Sequence, residues 1–167
     1  MKQHEGEIGV QSEEGVGSVF TIYLPQALDE KVDAQTEGLA PVGGRNETVL
    51  VVEDEENVRE LAKQMLEHLN YKVLLATNGQ EALTEYKKHI DDVDVILSDV
   101  VMPKFGGLDL ANFMYKAGLK VPIVLMTGYH ANPDDPQLPG NVVVCLEKPL
   151  DLTRLGKALR DALDQSL

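Results

Sequence analysis

The 167-residue chain has few of the features that mark secreted and membrane proteins. It contains one cysteine, Cys145, which excludes an internal disulfide and a metal site built from several thiolates. Its apolar runs stop at about five to seven residues, whereas a membrane-spanning helix needs roughly 20. The N-terminal residues MKQHEGEIG lack the apolar core of a secretory signal peptide. We therefore expect a cytoplasmic protein.

Positive charge is also scarce. The chain has 15 lysines and arginines against 28 aspartates and glutamates, which gives a formal net charge of −13. Such a surface repels phosphate backbones, so we expect neither nucleic-acid binding nor membrane contact by this chain. The hydrophobic share of 43% is nevertheless sufficient for one core.

Residues 1–25 differ in pattern from the rest of the chain. Phe20, Ile22 and Leu24 alternate with Thr21 and Tyr23, which is typical of a half-buried strand. Glycines at 15 and 17 predict a turn before that strand and therefore a β-hairpin. Residues 26–46 are polar and broken by proline and glycine, and we interpret them as a linker that begins with a short helical stretch.

From residue 47 to residue 167, short apolar runs alternate with helical patterns. The runs are rich in β-branched residues and lack polar alternation, as strands covered on both faces do. They are TVLVV (48–52), KVLLA (72–76), VDVIL (93–97), PIVLM (122–126) and VVVCL (142–146). The intervening segments place apolar residues on one helix face, and Asp151 is a suitable N-cap for the last helix. The pattern predicts a parallel α/β sheet with right-handed crossovers.

The crossover between the fourth and fifth strands is different. The segment HANPDDPQLPGN contains three prolines, which a helix interior does not tolerate. We predict a short, irregular or missing helix there.

The residues that follow four of the five runs could act together in one kind of chemistry. Glu53-Asp54-Glu55 follows the first, Asp99 the third, Thr127 the fourth and Lys148 the fifth. Since ligands of open parallel sheets bind beyond the carboxyl ends of the strands, we expect these side chains to share one rim. Taken singly, each is more often a loop or capping residue, but together these residues suit one kind of chemistry.

Carboxylates gathered at one rim repel each other unless a cation joins them, and oxygen ligands favour Mg²⁺, with Mn²⁺ as a substitute. An aspartate can also be the nucleophile that forms an aspartyl phosphate. A hydroxyl and an ammonium group would hydrogen-bond to the phosphoryl oxygens that the metal does not bind. The set is complete for accepting a phosphoryl group.

Residues 47–167 resemble a response-regulator receiver domain over their whole length. The motifs that carry the resemblance are VLVVEDE (49–55), ILSDVVMPKFGG (96–107), VLMTG (124–128) and LEKPL (146–150). The family implies a doubly wound, flavodoxin-like sheet of five parallel strands in the order 2-1-3-4-5.

The resemblance also implies roles for individual residues. Asp99 would be the phospho-acceptor and a metal ligand, and Asp54 would bind Mg²⁺ directly. Glu53 would act on the metal directly or through water, and the backbone carbonyl of Val101 would complete the protein ligands.

The remaining implied roles concern the phosphoryl group. Thr127 would hydrogen-bond one of its oxygens and Lys148 would pair with another. The family also implies a cis peptide bond between Lys148 and Pro149, which costs little before proline.

Three positions depart from the family pattern. Cys145 replaces the aromatic residue that usually stands three positions before the lysine, the proline-rich stretch 131–139 replaces the fourth helix, and Gly106 replaces an acid or amide. We therefore expect phosphorylation to change the loop after Thr127 rather than to rotate the side chain at 145. Val101 offers no polar group to orient water, so we expect slow self-dephosphorylation.

The segment GEIGVQSEEGVGSVFTIYLP resembles the end of the ATP-binding domain of sensor histidine kinases. This implies a hybrid kinase as the parent protein, although residues 1–25 lack the family's ATP-binding residues. The expected partners are a histidine kinase or a histidine phosphotransfer protein. Because a lone hairpin is marginal in water, we expect residues 1–25 to be disordered, to pack on the receiver or to pair edge-to-edge with another chain.

The residue pattern leaves alternative functions open. An aspartyl-nucleophile phosphatase often has Asp-x-Asp after its first strand, whereas this chain has Glu53-Asp54-Glu55. A flavodoxin-like flavin binder needs a phosphate loop rich in Ser, Thr and Gly, and the acidic loop opposes it. A degenerate receiver that only binds proteins is a further alternative. As a receiver, the chain would catalyse at most its own dephosphorylation.

Overall fold

The computed structural model describes residues 7–15, 17–23, 42–128 and 138–165. The chain divides into two compact units, Met1–Gly38 and Leu39–Leu167. The predicted helical start of the linker and most of the proline-rich stretch, residues 129–137, lie outside the described residues. In the part of the chain that is described, no helix is long and apolar enough to cross a membrane.

The first unit contains the predicted hairpin. Strand β1 (Glu7–Glu13) pairs antiparallel with β2 (Gly17–Tyr23). Gly15 and Gly17 have φ values of 78° and 133°, which a residue with a Cβ rarely adopts. The predicted half-burial of β2 is wrong, because all its side chains are exposed, including Phe20 at 66%. A two-stranded sheet covers neither of its own faces.

The second unit alternates strands with helices, as predicted. Its elements are β3 (Thr48–Val52), α1 (Glu56–His68), β4 (Lys72–Ala76), α2 (Gly79–Lys88), β5 (Val93–Asp99), α3 (Gly107–Lys116), β6 (Ile123–Thr127), β7 (Val142–Glu147) and α4 (Leu152–Asp164). The five parallel strands lie in the order β4-β3-β5-β6-β7, which confirms the predicted order 2-1-3-4-5.

The alternation of side chains along each strand divides the core into two layers. Val49, Val51, Val95 and Leu97 pack with α1 and α4, whereas Leu50 and Ile96 pack with α2 and α3. The prediction that all five strands are covered on both faces is wrong for β4 and β7. These strands form the two edges of the sheet, where most of their side chains are partly exposed.

Local hydrogen bonds fix two features of the helices and their connections. Asp151 caps α4 as predicted, since its side chain accepts from Arg154 N at 2.9 Å. The last residues of the predicted linker bond to the turn after α1, with Gly44 N donating to Leu69 O at 2.7 Å. These last linker residues are therefore packed within the second unit.

Candidate functional site

Three carboxylates meet at the carboxyl edge of the sheet. Glu53 follows β3, Asp54 is the next residue, and Asp99 ends the neighbouring strand β5. One oxygen from each lies within 4.8 Å of the others. Glu53 and Asp99 are buried, at 2% and 9% exposure, whereas Asp54 is exposed. Buried carboxylates at this spacing need a cation, and the oxygen donors fit a hard divalent ion.

Lys148 supplies a cation of the protein's own. Its Nζ lies 2.9 Å from Glu53 Oε2 and 3.1 Å from Asp99 Oδ2. Burial alone would lower the pKa of this ammonium group, but the hydrogen bonds to Glu53 and Asp99 outweigh it and leave the pKa raised. Lys148 is therefore charged at neutral pH and pairs with the two buried acids.

A hydrogen bond between the ends of β6 and β7 positions the backbone of Lys148. Lys148 N donates to Thr127 O at 2.8 Å, which ties the end of β7 to the end of β6. The peptide bond between Lys148 and Pro149 is cis, as the resemblance implied. Thr127 is buried at the end of β6, and β6 lies beside β5. Glu53, Asp54, Asp99 and Lys148 therefore meet at the ends of β3, β5 and β7, and Thr127 ends the intervening strand β6.

The loop after Asp99 lies close against the strand. Gly107 N donates to Val100 O at 3.2 Å, and a Cβ at Gly107 would lie only 2.1 Å from Asp99 O. A Cβ at Gly106 would lie 2.7 Å from Val100 O. The glycine at 106 thus fits the local packing, in which a side chain would push the loop away. Val101, beyond this close contact, is 76% exposed.

Cys145 lies on β7, opposite Leu125 of β6. Its side chain is partly buried and packs against the core layer formed with α2 and α3. Burial raises the pKa of this thiol. At this position a small apolar thiol replaces the ring that the family usually has.

Arg59, the fourth residue of α1, is a contact of the acidic loop that the sequence pattern did not indicate. Its Nη1 donates to Glu53 O at 2.8 Å and to Asp54 O at 3.3 Å. The only sequence signal is a basic residue five positions after the acidic pair, which is common on helix surfaces. The contact itself depends on how α1 follows the acidic loop in space.

Known proteins with similar sequences include receiver domains and sensor kinases that contain them. Residues 49–160 match the response regulator receiver domain family. The chain is 31% identical over 175 residues to the sensor kinase CckA of Brucella abortus (strain 2308), a match that covers 99% of this chain but 18% of the relative. The chain therefore spans less than a fifth of that kinase.

Two solved structures are similar to most of this chain. The receiver domain of the hybrid histidine kinase CckA is 31% identical with a TM-score of 0.56, covering 70% of this chain and 98% of that one. The response regulator TrrA of Thermotoga maritima, solved in complex with Mg²⁺-BeF, is 28% identical with a TM-score of 0.62, covering 70% and 99%. The chain therefore belongs to the response regulator receiver domain family and carries a two-component phosphorelay receiver of the kind found in hybrid histidine kinases.

Proposed function

We propose that Asp99 accepts a phosphoryl group from a phosphohistidine, with Mg²⁺ held by Glu53, Asp54, Asp99 and the carbonyl of Val101. The observation that carries this proposal is the convergence of three carboxylates and Lys148 at one edge of the sheet. The solved relative TrrA, in complex with Mg²⁺-BeF, supports the choice of metal.

The bound metal would supply positive charge against the phosphoryl oxygens. The chain's own residues do the rest. A carboxylate oxygen of Asp99 attacks phosphorus, the phosphorus–nitrogen bond of the phosphohistidine breaks, and the imidazole leaves with its electron pair. Lys148, which pairs with Asp99 before the reaction, donates to a phosphoryl oxygen afterwards. The Thr127 hydroxyl donates to another.

We further propose that the partners are a histidine kinase or a histidine phosphotransfer protein, and that the exchange takes place in the cytoplasm, where ATP is available. The curated sensor kinase aligns with 99% of this chain, so its similarity includes the hairpin as well as the receiver. This supports the hairpin as the end of a kinase ATP-binding domain in a longer hybrid kinase.

The hairpin presents Ile8, Val10, Phe20 and Ile22 on one face, all more than half exposed. For the chain on its own, we propose that this face pairs with a second copy. Sedimentation of the chain with and without residues 1–25 tests this, since only the longer form should dimerise. A monomeric longer form would exclude the pairing.

The experiment that tests phosphoryl transfer is intact mass after incubation with Mg²⁺ and either acetyl phosphate or phosphoramidate, which has a phosphorus–nitrogen bond. Wild type should gain one phosphoryl group, and EDTA should prevent the gain. Asp99→Asn should gain none, whereas the control Asp91→Asn, at an exposed site after α2, should behave as wild type. Equal labelling of Asp99→Asn would exclude Asp99 as the acceptor, and continued release of phosphate from phosphomonoesters would favour a phosphatase.

A further inference from the structure

Arg59 hydrogen-bonds to the backbone of the acidic loop rather than to a carboxylate. Its Nη1 donates to the carbonyl oxygens of Glu53 and Asp54 at 2.8 and 3.3 Å. Within the described ranges, its guanidinium forms no ion pair within 4 Å. In a chain with a net charge of −13, an arginine finds carboxylate partners easily. This arrangement therefore calls for another explanation.

Helix stability does not supply that explanation. Arg59 lies near the N-terminus of α1, where the helix dipole disfavours a cation. The N-cap residue of this helix, Glu55, makes no side-chain capping hydrogen bond. The loop that enters α1 is thus held without the usual cap, and the guanidinium is the side chain that bonds to its carbonyl groups.

The two carbonyl groups belong to the residues whose side chains form the acidic cluster. Glu53 has further restraints, since its carboxylate also contacts Lys148 Nζ at 2.9 Å and Glu55 N at 3.3 Å. Asp54 has fewer, because its carboxylate has no hydrogen bond to any other described residue. The position of the Asp54 side chain depends on its backbone. A peptide group whose carbonyl is fixed leaves only the adjoining dihedral angles free.

We infer that Arg59 is a positioning residue that holds the acidic loop in the geometry needed for a divalent cation. It acts through the main chain of Glu53 and Asp54 and does not touch the metal. This inference rests on the proposed metal site and adds a residue that the motif does not include.

The first measurement is Mg²⁺ affinity by calorimetry for wild type, Arg59→Met and Arg59→Lys. Loss of a side chain that orients metal ligands commonly weakens binding by about 10-fold or more, and we expect that for Arg59→Met. Arg59→Lys keeps the charge and one donor, so its affinity should lie between the two. The matched control is Arg154→Met, which removes the same charge from an exposed position on α4 and should stay within about twofold of wild type.

The second measurement is amide hydrogen exchange of residues 53–56 in the metal-free protein. Arg59→Met should speed exchange in this loop but leave the core strands β3 and β5 unchanged. This measurement does not depend on metal binding. If wild type fails to bind Mg²⁺, the proposed metal site fails, whereas loop exchange still decides the role of Arg59.

Two results would overturn the inference. The first is an Arg59→Met variant that binds Mg²⁺ within about twofold of wild type and has unchanged loop exchange. The second is faster exchange throughout the core strands, which would show that Arg59 serves stability in general. If Arg59→Met fails to fold, Mg²⁺ affinity and loop exchange are measured on Arg59→Lys instead. An Arg59→Lys variant with wild-type affinity and wild-type loop exchange would equally contradict the positioning role.

Discussion

Lys148 and Glu53 lie 95 positions apart in the sequence and are joined by a hydrogen bond of 2.9 Å between Nζ and Oε2. Glu53 is almost completely buried, whereas the Lys148 side chain is 27% exposed. Lys148 is therefore the member of the pair that solvent and an incoming group can reach. The ammonium group thus offsets part of the negative charge of the acids in the metal-free site, and in the proposed function it then donates to a phosphoryl oxygen.

Replacing Lys148 by methionine should destabilise the metal-free protein by about 1–3 kcal/mol, because Glu53 is then left charged and unpaired in the interior. The double variant Lys148→Met with Glu53→Gln should recover part of that loss, since the amide carries no charge. Urea denaturation at neutral pH measures both. A single variant as stable as wild type would contradict this account of the pair.

The ion pair between Glu47 and Arg160 should make stability depend on pH. Glu47 Oε1 lies 2.7 Å from Arg160 Nη1, and the side chains are 17% and 13% exposed. Burial raises the pKa of Glu47, but the hydrogen bond from Arg160 and further bonds outweigh it and lower the pKa below its usual 4.5. The contribution to the free energy of unfolding is therefore complete above the unfolded-state pKa and is lost as pH falls through the folded-state pKa.

The measurement is the free energy of unfolding of wild type and Glu47→Gln from neutral to acidic pH. The variant should be less stable by about 2 kcal/mol at neutral pH, and the difference should shrink on acidification. Glu67→Gln, at an exposed position on α1, is the control and should show no such convergence. A difference that grows toward acid pH would reverse the assigned sign.

Gly107→Ala should destabilise the protein by about 1–3 kcal/mol, because its Cβ would meet Asp99 O at 2.1 Å and the main chain must move. The same movement displaces Asp99, so labelling by acetyl phosphate should slow. Gly128→Ala is the matched control for stability, since a Cβ there has no atom within 4 Å. Equal effects of both substitutions on the urea midpoint would show that the close contact at 107 is unimportant.

Val101→Asn should shorten the lifetime of the aspartyl phosphate. Val101 is 76% exposed, two positions after the proposed acceptor, and has no group that could orient water, whereas an asparagine side chain has an amide that could. The half-life is measured by intact mass after removal of the donor, with Val101→Ala as the apolar control. A wild-type half-life no longer than that of Val101→Asn would remove the hypothesis of slow self-dephosphorylation.

Phosphorylation should leave the environment of Cys145 largely unchanged. Burial raises the pKa of this thiol, so its alkylation by iodoacetamide should be slow at neutral pH and accelerate as pH rises. The rate should be the same before and after phosphorylation, while amide resonances of residues 128–140 shift. Amide shifts that avoid this segment would contradict the expected change in the loop, and a changed alkylation rate would show that residue 145 takes part in the switch.

The fold and most of the candidate site follow from short-range patterns. The runs TVLVV and KVLLA coincide with β3 and β4, because β-branched residues flanked by polar ones favour strands of that length. The rim was predictable for a similar reason. In a parallel sheet all strands end at the same edge, so residues after several strands must be neighbours.

Side-chain exposure and the contacts between elements depend on tertiary structure, which local sequence patterns do not specify. The partial exposure of β4 and β7 reflects their positions at the edges of the sheet. The contact of Arg59 with the acidic loop depends on the path of α1, and the need for glycine at 107 depends on how closely α3 begins against Asp99. The exposure of β2 also differs from its alternating pattern, since alternation shows which side chains share a face but not what covers it.

The sequence by itself determined the order of the strands and helices, the acidic character of the chain and the residue types at the rim, because these depend on periodicity and on neighbours along the chain. Only the tertiary structure decided which groups are in contact. Lys148 pairs with both buried acids, and Arg59 bonds to the backbone that carries two of the carboxylates. Such contacts depend on sub-ångström packing between elements that are distant in sequence, and that packing is a property of the folded chain.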